Sequence, residues 1–393
     1  MSGITGLGTT YNLPNYTGIL YGLTPQETPF LSAIGGLSGG RQTTSPAFEW
    51  QTFDLRDASQ PEVVEGATAP TSQQRVRGNV SNVVQIHQEK VSVSYSKLAA
   101  TGAKAGINND QPNPIGNELD WQVEQMLKQM ARDVEYSFIG GVYQSPSDNS
   151  TARKTRGIIS AISTNAMDVK GAALPTVTAT ASTDKIASTG HGLVNGDSVV
   201  FTALTGGAGL VVGVPYFVIN KGTNDFEVSL VKGGTKVNIT TDASAATAYK
   251  LTAMTTTHVN EAIQRVYDNG GMDGTTTLLV NSNQKMALTS VFASAYGKFV
   301  ETSRTVAGVS VDQLQTDFGI LNVMLSRFVP KHQVLIAQLG QCAPVFLEVP
   351  GKGHFFAEPL AKTGSSDDVQ LYGEVGLAYG NEKAHGLLSG LAL

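Results

Sequence analysis

Residues 117–141 read NELDWQVEQMLKQMARDVEYSFIGG, and the rest of the chain is organised around this stretch. Leu119, Val123, Met126, Met130, Val134 and Phe138 recur in steps of three and four, which places them on one stripe of an α-helix. Asn117 is a good N-cap, and Glu118 and Asp120 put negative charge in the first turn, where the helix dipole favours it. Glu124 precedes Lys128 in the order that suits an ion pair one turn apart. Gly140 and Gly141 stop the helix. At about 1.5 Å per residue the helix over 117–140 is a rod roughly 35 Å long. One face is apolar and the other charged, so the rod is expected to lie across a surface.

The chain has 393 residues, enough for about two to three domains and for a core that needs no staples. Hydrophobic residues make up 41%, which opposes wholesale disorder, while only 15% are charged, where about 25% is typical. Together with 43 glycines and many Thr and Ser, this points to strands, turns and extensive subunit contact. A net charge of −5 argues against a general binder of nucleic acid or anionic membrane, which needs basic patches. The single cysteine, Cys342 in QCAPVFLEV, excludes an internal disulfide and a cysteine metal cluster and reads as a buried, inert thiol. The opening MSGITGLGTTYN has no basic or apolar leader region. No run approaches the roughly 18 apolar residues of a membrane span.

Residues 1–47 read as an extended arm with one short helix, capped by the box Thr24-Pro25-Gln26-Glu27 and ended by Gly35-Gly36. Its small apolar face, Phe30, Leu31 and Ile34, must pack on its own body or a neighbour. Residues 48–98 read as a long β-hairpin, with Phe48, Trp50, Phe53 and Leu55 going out. Val84, Ile86, Val91 and Val93 lie on a return strand from Val83 to Tyr95. The connection, DASQPEVVEGATAPTSQQRVRGN, exceeds the about 15 residues usual for a compact loop and carries Glu62, Glu65, Arg75 and Arg77 at its tip. Composition leaves two readings open, a solvated loop or an arm reaching to another subunit. Arg153, Lys154 and Arg156 read as a solvated loop, and Ile158–Ile162 as a strand.

From 173 to 252 the helix signal vanishes. Short β-forming runs (TVTAT, KIAS, SVVFT, YFVIN, FEVSL, KVNIT) alternate with turns, which indicates a small antiparallel barrel or sandwich inserted in a larger fold. Residues 253–340 alternate helix and strand: a helix capped by Thr257, a strand at Thr276–Val280, and a second helix from Ser282 including Met286 and Phe292. Strands are also expected near Ile320–Leu325 and Val334–Gln338. The end of the chain is again β, with Asn381-Glu382-Lys383 as the turn between the last two strands.

Chemistry is mostly missing. There is no HExxH, CxxC, GxSxG or P-loop, and the six histidines lack ligand spacing. Gly207-Ala-Gly209-Leu-Val-Val-Gly213 has one residue too many for a dinucleotide loop and leads into a strand. Asp367-Asp368 reads as a turn. No catalytic, cofactor or metal residues are expected, and the chain is not expected to be an enzyme.

In this order the elements resemble the major capsid proteins of tailed bacteriophages, a fold shared with encapsulins and the floor of herpesvirus capsids. The motifs are TPFLSAIGG at 28–36, the hairpin from Phe48 to Ser96, TRGIISAI at 155–162, THVNEAIQRVYDNGG at 257–271 and NEKAHGLLSGL at 381–391. The resemblance implies an α+β capsid fold with an N-terminal arm (1–47), an E-loop hairpin (48–98) and a peripheral domain (99–172) holding the spine helix (117–140). It further implies an axial α/β domain (253–340) and closing strands of the peripheral domain (341–393), interrupted by an inserted all-β barrel-like domain (173–252). GHGLVNGDSVVFT at 190–202 is similar to small barrel modules of other phage proteins and of ubiquitin-activating enzymes.

The implied function is structural: self-assembly into hexamers and pentamers of an icosahedral head that encloses double-stranded DNA without reading its sequence. Implied partners are further copies, a portal, a separate scaffolding protein and decoration proteins, with no membrane. The place is the virion, after assembly in the host cytoplasm. Some relatives weld their shells with an E-loop lysine. No lysine stands between Arg56 and Gln88, and arginine stays protonated, so a non-covalent shell is expected. Trp50, Phe53, Glu62, Glu65, Arg75 and Arg77 are the candidate subunit contacts. The helix stripe is expected to bury Val123, Met130 and Val134 against strands near 342–350 and 368–390, with Glu124, Lys128 and Arg132 facing the interior or a neighbour. The insert is expected on the outer surface. Competing readings are an encapsulin-like container, an enzyme with an unrecognised site, and a sugar-binding insert using Tyr216, Phe217 and Phe226.

Overall fold

A computed structural model describes residues 27–56, 58–60, 62–72, 74–99, 117–148, 150–272, 276–295, 313–362 and 364–393. The chain begins there with α1 (Pro29–Ala33) and the short strand β1 (Arg41–Thr43). Pro29 sits at the first helical position with Thr28 as N-cap, because proline's fixed φ suits a helix start. The expected cap at Thr24 lies outside the described residues, and Glu27 stands in the coil before α1.

The expected hairpin divides in two. β2 (Ala47–Thr52) and β3 (Gly78–Val83) form a two-stranded ribbon, Trp50 opposite Val80. β4 (Gln85–Ser94) leaves the ribbon and joins a sheet of the body. The division falls at Val84, whose N–H bonds Pro46 and which is fully buried. A short α2 (Tyr95–Ala99) follows.

α3 (Glu118–Gly140) is the long helix, and Asn117 caps it by accepting from the Leu119 N–H. Glu124 and Lys128 pair at 2.7 Å on its outer face. Met130, Val134 and Phe138 are buried, but Leu119, Val123 and Met126 are only half-buried. The apolar stripe is thus used by its own subunit along the C-terminal half alone. Gly141 does not end the helix through a left-handed φ; its φ is −57°. It is there because a β-carbon would strike the Ser137 and Thr155 carbonyls, and Gly157 is packed as closely against Gly141. Ile158–Ala161 forms a helical turn, α4, instead of a strand. β5 (Ala166–Asp168) leads toward the barrel.

The barrel comprises β6 (Val177–Thr180), β7 (Lys185–Ala187), β8 (Ser198–Gly206), β9 (Pro215–Ile219), β10 (Asp225–Ser229) and β11 (Ala243–Lys250). It closes in the order β10-β7-β6-β11-β8-β9. The sixth strand is the Ala-rich β11, not KVNIT, which runs as coil. Position between β6 and β8 overrides propensity, and small side chains such as fully buried Ala248 fit the closing seam. Ile186, Val199, Phe201, Tyr216, Val218 and Phe226 fill the interior. Tyr216 and Phe226 are therefore core residues rather than a sugar platform.

α5 (Thr256–Asp268) is capped by Thr255, not Thr257, and Gly270 turns the chain at φ +78°. β12 (Thr276–Val280), α6 (Ser282–Ala295), β13 (Gln313–Thr316), β14 (Gly319–Leu325) and β15 (Gln333–Gln338) follow. In α6, Leu288 and Phe292 are buried while Met286 is exposed. β16 (Ala343–Leu347), β17 (Phe355–Pro359), β18 (Ser366–Ala378) and β19 (Gly386–Ser389) complete the chain.

One sheet runs β1-β16-β18-β17, with β4 along the other side of β18; the second runs β13-β14-β12-β15-β19-β5. The last strand therefore belongs to the second sheet, paired with β15, and not with the other closing strands. β12 is buried on both faces: Leu278 and Val280 meet α5 and α6, while Leu279 meets the cluster of α1, α3 and α4. That cluster, with Phe30, Leu31, Val134, Phe138, Phe346, Val375 and Leu377, joins both sheets. Glu135 is buried within it and accepts from the Leu31 N–H and the Ser326 hydroxyl, tying the arm helix to α3 and to the turn after β14. Burial pushes its carboxyl above the usual range, against those hydrogen bonds.

Candidate assembly surface

The β2–β3 ribbon stands on the body through a set of polar locks at its root. The Trp50 indole donates to the Gly380 carbonyl at 2.7 Å and meets the Tyr379 ring edge-on at 4.9 Å. Fully buried Asn82 donates to the Leu377 and Arg156 carbonyls at 2.7 and 3.2 Å and accepts from the Arg156 N–H at 2.8 Å. The Arg156 guanidinium stacks on Tyr143 and donates to the Tyr379 hydroxyl. Asp54 pairs with Lys383 at 2.5 Å and accepts from Asn381; the Lys383 bond holds its carboxyl below the usual range. Buried His385 anchors the adjoining turn, accepting from the Gln338 N–H through Nδ1, with Nε2 at 2.7 Å from the Tyr379 carbonyl. A carbonyl only accepts, so Nε2 carries the proton.

Beyond Asp54 the character reverses. Every described residue from 53 to 77 is exposed. Phe53 is 62% exposed, Leu55 74%, Val63 73%, Val64 80% and Val76 84%, a set of apolar side chains left mostly uncovered by their own chain. Among the described residues, Glu62, Glu65, Arg75 and Arg77 have no ion-pair partner. The structure also separates them. Glu62 and Glu65 flank Val63-Val64 at the turn closed by the Ala67 N–H to the Val64 carbonyl. Arg75 and Arg77 lie at the root, just before β3. A cleft of about 700 Å³ opens between this root and the body, lined among others by Phe53, Leu55, Arg75, Val76, Arg156 and Ala161.

Of the six residues expected at subunit contacts, Trp50 is half-buried against its own subunit, and the other five are exposed. Sequence reading missed Asp54, Asn82, Tyr379 and Lys383, the locks of the root. Asn82 had one signal, a polar residue inside the run Val80 to Val84. The basic loop is no free surface either: Arg153 pairs with Glu374 at 3.0 Å, and Lys154 bonds Gln144 through its backbone. Cys342 is buried, its thiol pushed up to about 12. The described residues contain no group of His, Cys, Asp or Glu able to hold a metal, and no described helix is long and apolar enough to cross a membrane.

The profile of the family described as "SU10 major capsid protein" matches residues 3–392. No protein with a curated description matches the chain. Among solved structures it is similar to the capsid of cyanophage A-1(L), at 11% identity and TM-score 0.57 over 99% of each chain. It is also similar to the capsid of a native GTA particle, at 13% identity and TM-score 0.52, covering 98% of this chain and 97% of the other. The capsid of cyanophage P-SCSP1u gives 10% identity and TM-score 0.50, over 96% of this chain and 93% of the other. At such identities the likeness is one of fold, the mixed α+β capsid fold; this chain contains a closed six-stranded barrel.

Proposed function

We infer, because this chain belongs to the SU10 major capsid protein family, that its copies close into the hexamers and pentamers of an icosahedral phage head around double-stranded DNA. The family's role is structural, not enzymatic. One observation carries the finer reading: a rigidly rooted ribbon ends in a loop whose apolar side chains are exposed in the single chain. Such a surface gains burial only against another copy, and contacts that differ on the two sides of a subunit generate rings. Phe53, Glu62, Glu65, Arg75 and Arg77 make these contacts, and Trp50 holds the ribbon that presents them.

On this reading residues 48–98 are the E-loop, 99–172 and 341–393 supply the peripheral domain around the spine helix, 253–340 form the axial domain, and 173–252 stand on the outer surface. The half-buried Val123 and Met126 supply a second surface for a neighbour. The net charge of −5 suits a lining over which DNA slides. A portal, a scaffolding protein and decoration proteins are the expected partners, with assembly in the host cytoplasm. Negative-stain microscopy of the protein co-expressed with its scaffold tests the proposal. Closed shells with five- and six-fold capsomers support it; monodisperse monomers under the same conditions would refute it.

A further inference from the structure

We propose that the loop tip of one copy, Glu62-Val63-Val64-Glu65, seats in the cleft at the loop root of the next copy. This rests on the shell reading and names the partner surface within it. The tip presents two exposed valines between two carboxylates that lack ion-pair partners among the described residues. The cleft offers the complement: the exposed apolar walls Phe53, Leu55 and Val76, with the Arg75 and Arg156 guanidinium groups beside them.

The acids already in the cleft are engaged. Asp54 pairs with Lys383, and Glu382 accepts from the Ser163 and Thr164 N–H groups and the Thr164 hydroxyl. Arg75 has no such partner among the described residues. The face met by an incoming tip is therefore basic and apolar, and the tip is acidic and apolar. Such a contact fixes register and speeds encounter by opposite charge, while valine burial supplies the affinity. Tip and root are different surfaces of one chain, so the contact is head-to-tail and repeats around a ring.

The test uses assembled shells. Val64→Cys combined with Ala161→Cys, oxidised after assembly, is expected to give a ladder of disulfide-linked multimers on non-reducing gels, which neither single variant gives. The native Cys342 is buried and does not contribute. Glu65→Arg and Arg75→Glu alone are each expected to lower shell yield about tenfold, and the double swap is expected to restore it. Normal shells from Glu65→Arg, with no ladder from the cysteine pair, overturn this contact and leave the shell reading standing. No shells from the unsubstituted protein overturn both.

Discussion

Asn82 pairs with the backbone of Arg156 as one strand residue pairs with another. Its side-chain oxygen accepts the Arg156 N–H at 2.8 Å, and its amide donates back to the Arg156 carbonyl at 3.2 Å. The same amide donates to Leu377 in β18 at 2.7 Å. One buried side chain thus joins the ribbon, the turn after α3 and the body sheet. Asn82→Ala leaves these groups without partners in a dry site, at a cost of about 2–3 kcal/mol. Urea unfolding of the unassembled subunit is expected to show a lower midpoint at unchanged slope; an unchanged midpoint contradicts this account.

The long helix has unequal halves. Phe138 is fully buried among α1, α4 and both sheets, whereas Met126 is half-buried. Phe138→Ala is expected to destabilise the subunit by about 3–5 kcal/mol, the cost of lost burial plus a cavity. Met126→Ala is expected to cost under about 1 kcal/mol in the free subunit and to act on assembly. Equal losses for the two variants would mean that the N-terminal half is also core.

Glu135 gives stability a pH dependence with a definite sign. Burial raises its carboxyl above the ordinary 4.5 in the folded chain. The folded state therefore binds this proton more tightly than the unfolded one. The stability it contributes is complete below about 4.5 and is lost as pH rises through the folded value. Glu135→Gln removes that slope; its one amide oxygen still accepts the Leu31 N–H, and its NH2 donates to the Ser326 hydroxyl oxygen. Denaturation across pH 4 to 8 is expected to show a flatter profile and equal or higher stability at neutral pH. Glu135→Ala, which orphans both donors, is expected to lose about 1–3 kcal/mol.

Mature particles boiled in denaturant are expected to release this chain as a single band, with no covalent multimers. No lysine stands between Arg56 and Gln88 to act as a welding nucleophile, and Cys342 is sealed in the core. A ladder of covalent multimers from unsubstituted shells counts against this.

Local signals were legible where the structure depends on neighbours in sequence. The cap at Asn117, the Glu124–Lys128 pair, the burial of Met130 and Val134, and the strand at Thr276–Val280 all follow from spacing and residue type. Readings failed where distant chain decided the outcome. Ile158–Ala161 carries β-type residues but forms a helical turn that packs Ile158 into the cluster with α3. KVNIT lost its place in the barrel to an alanine-rich strand because closure selects position and small volume over propensity.

The sequence alone determined the helical rod, the short-strand insert, the lysine-free loop and the lack of metal or nucleophile motifs. Each is a property of periodicity, spacing or residue type, and each is present before the chain folds. Only the tertiary structure decided that Glu62 and Glu65 stand at the tip while Arg75 lines the root. The same holds for Asn82, Tyr379 and Lys383, which lock the ribbon, and for β19 closing the second sheet. The ribbon locks join residues more than 200 positions apart, as Asn82 does with Leu377. No local period encodes them; they exist only once burial makes an unpaired polar group costly enough to select its partner.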